Sequence, residues 1–213
     1  MQTQKGILTV VSGFSGSGKG TIMKRLLERY PDTYALSISA TTRSPRPGEV
    51  DGREYFFCTR ERFEEMIAAD ELLEYARYVK NYYGTPRAYV LEQLNQGRDV
   101  ILEIEMQGAL KIKQKYPDSV LLFVTPPSFE ELKRRLINRA TEPPEVVLAR
   151  LSRACEECEG VENYDYLIVN DELEACVTQV HSLLQNEHVR LFRQKAFIKE
   201  MKQSFTKFAK GEQ

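Results

Sequence analysis

The sequence predicts an α/β fold: a parallel sheet flanked by helices, with a mixed α/β subdomain inserted into it. Continuous apolar runs rich in Val, Ile and Leu recur at Ile7–Val11, Val100–Ile104, Val120–Val124 and Tyr166–Val169, a pattern that suits parallel strands buried on both faces. Helical stretches alternate with these runs, at Lys19–Tyr30, Gln107–Tyr116, Ser128–Arg139 and from Pro144 to about Glu159. Between Ser39 and Ala88 the rhythm breaks, which marks the insertion.

In chain order, the first apolar run leads through a glycine-rich segment into the first helix. The inserted stretch opens with Pro45, Pro47, Gly48 and Gly52, passes Tyr55–Phe57 and a helix near Arg62–Ala69, and closes on Tyr82, Tyr83 and Gly84. After the run at Val100 a helix follows, and Pro117 stops it before the run at Val120. Ser128 with Glu131 three residues later is a capping box that opens the next helix, and Pro126 and Pro143 punctuate the elements around it. The last stretch sets Leu191, Ile198, Met201, Phe205 and Phe208 at spacings of three, four or seven, one stripe of an amphipathic helix. Between His188 and Lys210 there are seven basic residues and one acid, and the expectation is a surface helix docked on the core with a solvated basic face.

A chain of 213 residues has room for one substantial core with inserted parts, but not for two large domains. Lys and Arg number 30 against 31 Asp and Glu, so the net charge of −1 excludes a whole-protein basic field for nucleic acid. The apolar runs are far shorter than the roughly 20 residues that cross a bilayer. Met1–Lys5 leads into the first run without the apolar core and cleavage site of a secretory signal. The expectation is no nucleic-acid partner, no membrane, and the cytoplasm. Cys58, Cys155, Cys158 and Cys176 are too few and too scattered for a disulfide framework, and the single CxxC lacks the further ligands that a zinc site needs.

Gly13-Phe14-Ser15-Gly16-Ser17-Gly18-Lys19-Gly20-Thr21 follows the first strand directly and opens a helix. This is the GxxxxGK spacing of a Walker A loop in its strand-to-helix setting. The glycines let backbone N–H groups turn around a polyphosphate, the helix N-terminus adds positive potential, and Lys19 supplies a mobile charge. A nucleoside triphosphate is the implied ligand. Gly20 stands where Ser or Thr is usual, and the hydroxyl comes one place later at Thr21, so Mg²⁺ is expected to be held mainly through phosphates and waters. Further on, Arg43 and Arg46 sit three apart in a proline-stiffened loop, where guanidinium forks match phosphate oxygens. Glu103 and Glu105, two apart at the end of a buried strand, project to one face toward the ligand crevice of an open sheet.

Ser39–Glu49, Asp51–Phe57, Asn81–Thr85, Leu102–Gly108 and Val169–Asp171 together resemble the guanylate kinase family in order and spacing, over about residues 5–187. The resemblance implies a P-loop NTPase core, an inserted GMP-binding subdomain and a helical lid. It divides the chain into core at 1–38, GMP-binding subdomain at 39–88, core at 89–135, lid at 136–155, and core with a C-terminal helix at 156–213. It also implies transfer of the γ-phosphate of ATP to GMP, and to dGMP, with Mg²⁺ as cofactor.

Carried over residue by residue, the resemblance gives ATP to Gly13, Ser15, Gly16, Ser17, Gly18, Lys19, Gly20, Thr21, Arg135, Arg139 and Asn170, the last lining the adenine pocket. GMP goes to Ser39, Arg43, Arg46, Tyr55, Glu74, Tyr83, Gly84, Thr85, Glu103 and Glu105. Of these, Ser39, Glu74 and Thr85 would read the guanine edge, because a carboxylate accepts from N1–H and N2–H₂ together and hydroxyls donate to O6. Lys19, Arg43, Arg135, Arg139 and Arg150 are the expected catalytic cations, and Thr21 and Glu103 the residues nearest Mg²⁺, through water. Which of Glu103 and Glu105 orients those waters is open from the residues themselves, and the resemblance favours Glu105 for GMP. Self-association is left open. Two rival readings are a binding module of the same fold without catalysis, opposed by the intact loop, and a P-loop kinase for another acceptor, opposed by Glu74 with Ser39 and Thr85.

Overall fold

The computed structural model describes residues 5–78, 80–138 and 144–211. The chain divides into two compact units between Val177 and Thr178. The first is built on a five-stranded parallel sheet of β1 (Leu8–Gly13), β2 (Tyr34–Leu36), β7 (Asp99–Glu103), β8 (Val120–Thr125) and β9 (Tyr166–Val169), in the order β2-β7-β1-β8-β9. β1 lies at the centre, with Val11 opposite Glu103 of β7 and Gly13 opposite Val124 of β8. That register brings the end of β7 beside the exit of β1.

Helices α1 (Lys19–Arg29), α3 (Arg87–Asn95), α4 (Met106–Lys115), α5 (Phe129–Ile137) and α6 (Pro144–Cys158) follow or connect these strands. Leu8, Val10, Val100, Leu102 and Leu121 of the sheet bury against Val90 and Leu94 of α3 and Ala109 and Ile112 of α4. Fully burying a Val, Leu or Ile side chain contributes about 1.5–3 kcal/mol, so this layer is a major part of the core. Leu132 and Leu136 of α5 pack with Leu151 and Ala154 of α6, against Phe14.

A second sheet, β4-β3-β6-β5, comes from the inserted stretch: β3 (Ala40–Thr41), β4 (Phe56–Phe57), β5 (Leu72–Tyr78) and β6 (Asn81–Pro86). Its own small core is Ala40, Phe63 and Leu72, covered by α2 (Arg60–Ala68), whose N-cap Thr59 accepts from the Arg62 amide. The β5–β6 hairpin is interrupted: Leu72 pairs with Pro86 and Tyr75 with Gly84, so Leu73 and Glu74 oppose Thr85 alone. Leu73 turns into the main core.

The structure corrects several sequence expectations. β2, α3 and α7 (Leu173–His188) are additional elements. β2 has three residues, too short for a visible run, and α3 mixes apolar and polar residues around its circumference. β9 is not buried on both faces: it is an edge strand, and Leu167 is 51% exposed. Ser128 caps α5 by accepting from the Glu131 amide, but the Glu131 carboxylate takes Arg134 and Arg135, each at 2.7 Å, which lower its pKa to about 2. Arg139, Ala140 and Pro143 lie outside the described residues.

In the second unit Glu187 is buried and accepts from Arg190 and Arg193, each at 3.2 Å. Here the expected single helical stripe is broken. Leu191 belongs to a short 3₁₀ turn, and α8 (Lys195–Ala209) has no buried residue, with Phe208 84% exposed. No described helix is long and apolar enough to cross a membrane. The four cysteines are free thiols, Cys155 and Cys158 exposed on α6, and no cluster of three metal-ligating side chains occurs among the described residues.

Candidate active site

The glycine-rich loop connects β1 to α1. Gly16 and Gly18 hold φ of 86° and 88°, the left-handed region that lets the backbone curl inward. Gly18 is the N-cap of α1 and has no side chain to cap its first turn, where the Thr21 amide donates to the Gly18 carbonyl at 3.1 Å, so the positive end of the helix faces the loop, a setting that draws an anion. Lys19 Nζ donates to the carbonyls of Gly13 at 2.7 Å and Phe14 at 3.2 Å, so its charge lies along the loop. From behind, the Asn170 amide donates to the Ser17 carbonyl at 2.7 Å, and Arg135 donates to the Asn170 carbonyl at 2.9 Å. Arg150 reaches the Ser15 hydroxyl at 3.4 Å.

A cleft of about 410 Å³ runs from Gly13, Ser15 and Lys19 to Ser39, Glu74 and Tyr83 of the second sheet. That volume suits a small polar ligand. Glu74, only 7% exposed, accepts from Thr85 Oγ1 at 2.8 Å, and its Oε2 lies toward Gly108 at the start of α4. Burial raises its carboxyl above the ordinary range, opposed by the Thr85 bond and the charge of Lys111. The bulge in β5 aims it: with two residues against one, Leu73 points to the core and Glu74 to the cleft. Glu103 stands beside the loop, its oxygens 3.8 and 3.9 Å from where a Gly20 Cβ would be. Solvent reaches it through the cleft mouth, yet the walls around it raise its carboxyl, and only the Lys19 charge opposes this.

Near the other wall, Arg43 stacks over Tyr55 at 5.3 Å and over Phe57 at 5.7 Å, and donates to Glu49 at 2.9 Å. The same carboxylate accepts from the Arg46 amide at 2.7 Å, which closes the proline-rich loop on itself. Through these two bonds Glu49 is held below the usual carboxylate range.

Residues 5–187 match the family model described as guanylate kinase. The chain belongs to the guanylate kinase family. It is 52% identical over 190 residues to a guanylate kinase from Oceanobacillus iheyensis, spanning 89% of this chain and 92% of that one. The guanylate kinase of Lactococcus lactis is 50% identical over the same shares. Among solved structures, guanylate kinase from Anaplasma phagocytophilum superposes with a TM-score of 0.73 at 32% identity, covering 89% of this chain and 90% of that one.

Of the residues that the guanylate kinase motifs single out, Gly13, Ser15, Lys19 and Arg150 line the end of the cleft beside the glycine-rich loop. Ser39, Tyr55, Glu74, Tyr83, Gly84, Glu103 and Glu105 line the rest. Others stand one layer back. Thr85 is buried behind Glu74, Arg135 and Asn170 lie under the phosphate loop, Arg43 stands on Tyr55, and Arg46 is exposed. Gly20 and Thr21 open α1, with Thr21 exposed, and Arg139 is outside the described residues. Sequence reasoning missed Glu49, Gly108, Arg153 and Glu157. Arg153 and Glu157 had a readable signal, since they follow Arg150 at helical spacings of three and seven and share its face.

Proposed function

We propose that this chain is an ATP:GMP phosphotransferase, moving the γ-phosphoryl group of ATP to GMP to give ADP and GDP. One observation carries the reading: a single cleft joins a phosphate loop with its lysine to a buried carboxylate, Glu74, fixed by Thr85. A carboxylate so placed accepts from guanine N1–H and N2–H₂, which adenine does not offer as a pair. Lys19, with Arg150 and Arg135 around the loop, draws off negative charge as an ionised GMP phosphate oxygen attacks in line. That oxygen needs no general base. Arg43, Arg46, Tyr55 and Tyr83 would hold the acceptor phosphate, Ser39 would help read the base, and Asn170 would serve the donor; Thr85, fully buried with its one hydroxyl proton given to Glu74, would act through that carboxylate instead of donating to O6 itself.

Mg²⁺, when bound, neutralises the phosphates. The donor set fits it through waters: with Glu103 beside the loop and Thr21 one place late, the described residues offer no cage of their own, and Mg²⁺ readily keeps waters and phosphates as ligands. On this reading residues 39–88 are the acceptor subdomain and 136–155 the donor lid, on a core of 1–38, 89–135 and 156–213. Free thiols suit a reducing cytoplasm.

A coupled ADP-release assay with GMP, dGMP, AMP, UMP and CMP tests the proposal. GMP and dGMP should be phosphorylated far faster than the rest. Equal rates with AMP would overturn the guanine reading, and no turnover with any of them would favour a binding module.

A further inference from the structure

Arg153 follows Arg150 by three residues on α6, and both line the cleft. Its Nη2 donates to Glu105 Oε2 at 2.7 Å, while its Nε donates to Glu157 Oε1 at 3.1 Å. The two acceptors come from different elements. Glu157 lies one turn along α6, whereas Glu105 stands 48 residues away in sequence, at the N-cap of α4. Glu105 does not use its side chain to cap α4, so that carboxylate is placed from across the cleft. A guanidinium is planar, and Glu157 fixes one edge of this one, so the direction in which Arg153 presents its other N–H is set before Glu105 meets it.

We infer that Arg153 is a positioning residue: it orients Glu105 toward the acceptor nucleotide and ties α6, which also carries Arg150, to the acceptor end of the cleft. The inference rests on the phosphotransfer reading above and adds a residue to it. Arg153 engages one oxygen of Glu105, and the other serves the acceptor. Both partners are partly solvated, at 37% and 54% side-chain exposure. The link is therefore of the reversible kind, suited to biasing an orientation in a cleft that must open for product to leave.

The test is a double-mutant cycle with Arg153→Ala, Glu105→Gln and the pair combined, with Arg153→Lys alongside. ATP and GMP are each varied, and GMP binding without ATP is followed by calorimetry. Arg153→Ala should raise the KM and Kd for GMP by roughly fivefold or more, with the KM for ATP nearly unchanged, and the double variant should be no worse than Glu105→Gln alone. Arg153→Lys should recover part of the loss, because an ammonium pairs with Glu105 but does not fork to Glu157 as well. The inference is overturned if the two losses multiply, if Arg153→Ala lowers kcat while the GMP constants stay at wild type, or if it alters only the melting temperature. Failure of the underlying reading shows separately, as a wild-type protein that does not phosphorylate GMP.

Discussion

Thr85 Oγ1 donates to Glu74 Oε1 at 2.8 Å, with both residues buried, so one carboxylate oxygen is committed to the protein and the other lies on the Gly108 side of the cleft. The bond holds the carboxylate against rotation and lowers the energetic cost of its charge.

Glu74→Gln should keep the Thr85 bond, since the amide oxygen also accepts, but it turns a donor toward the guanine donors. Sites built to bond a substrate group reject analogues lacking it by up to ~10⁴–10⁵, so preference for GMP over AMP should fall by orders of magnitude, read as a ratio of kcat/KM values. Stability should move the opposite way. Burial raises the Glu74 carboxyl, so its ionisation destabilises the native state as pH climbs from the ordinary carboxylate range through the raised value. The variant is expected to melt at or above wild type at pH 7, with the difference closing near pH 4. A wild-type GMP/AMP ratio in the variant would remove Glu74 from base recognition.

Gly108→Ala should damage the acceptor side alone. Glycine inside a helix costs about 0.5–1 kcal/mol relative to alanine, so its presence in α4 calls for a spatial reason. A Cβ there would stand 2.9 Å from Glu74 Oε2 and 3.1 Å from Ile104 Cδ1. Displacing the carboxylate by a fraction of an ångström is expected to lower kcat/KM for GMP by roughly 10- to 100-fold while the KM for ATP stays put. Unchanged GMP kinetics would show that Glu74 yields without consequence.

Lys19→Ala should fold normally, because the ammonium's bonds to the Gly13 and Phe14 carbonyls are only partly buried and lie outside the apolar core, and should lose ~10²–10³ in kcat through lost charge stabilisation at the transferring phosphate. Turnover near wild type at saturating ATP would refute the loop's assigned role.

Two truncations separate the parts of the C-terminal unit. Ending the chain after Gln194 removes α8, which buries no side chain, and should leave the melting temperature and turnover as they were. Ending it after Glu187 also removes Arg190 and Arg193, donors to a buried carboxylate, and should lower the melting temperature, by less than the ~3–5 kcal/mol of a fully stranded buried charge. Equal melting of the two would assign no stabilising role to the arginines.

The strands β1, β7 and β8 were legible because all the apolar side chains of a doubly covered parallel strand are buried, leaving an unbroken run. β9 produced the same run, but Leu167 and Val169 owe theirs to a face that the edge of the sheet leaves exposed. The C-terminal stripe shows the same limit: periodicity reports that a helix has an apolar side, not that anything covers it. Along the cleft, the motif residues were legible and Arg153 could have been found by its helical spacing from Arg150, while Gly108 was passed over because nothing local marks a glycine as the neighbour of a distant carboxylate.

By itself the sequence determined the phosphate loop, since everything that loop requires lies in nine consecutive residues, Gly13–Thr21, and the left-handed turns at Gly16 and Gly18 are a property of residue type. It also determined the parallel core, through the length and continuity of its apolar runs. Only the tertiary structure decided how the Glu74 and Glu105 side of the cleft is built. The pairing of Glu74 with Thr85 depends on a bulge in β5, and the meeting of Glu105 with Arg153 on the packing of α6 across the cleft. The physical reason is range: backbone preference and burial act within a few residues, whereas the direction of a charged side chain in a cleft is set by partners brought together only when the sheets and helices have closed.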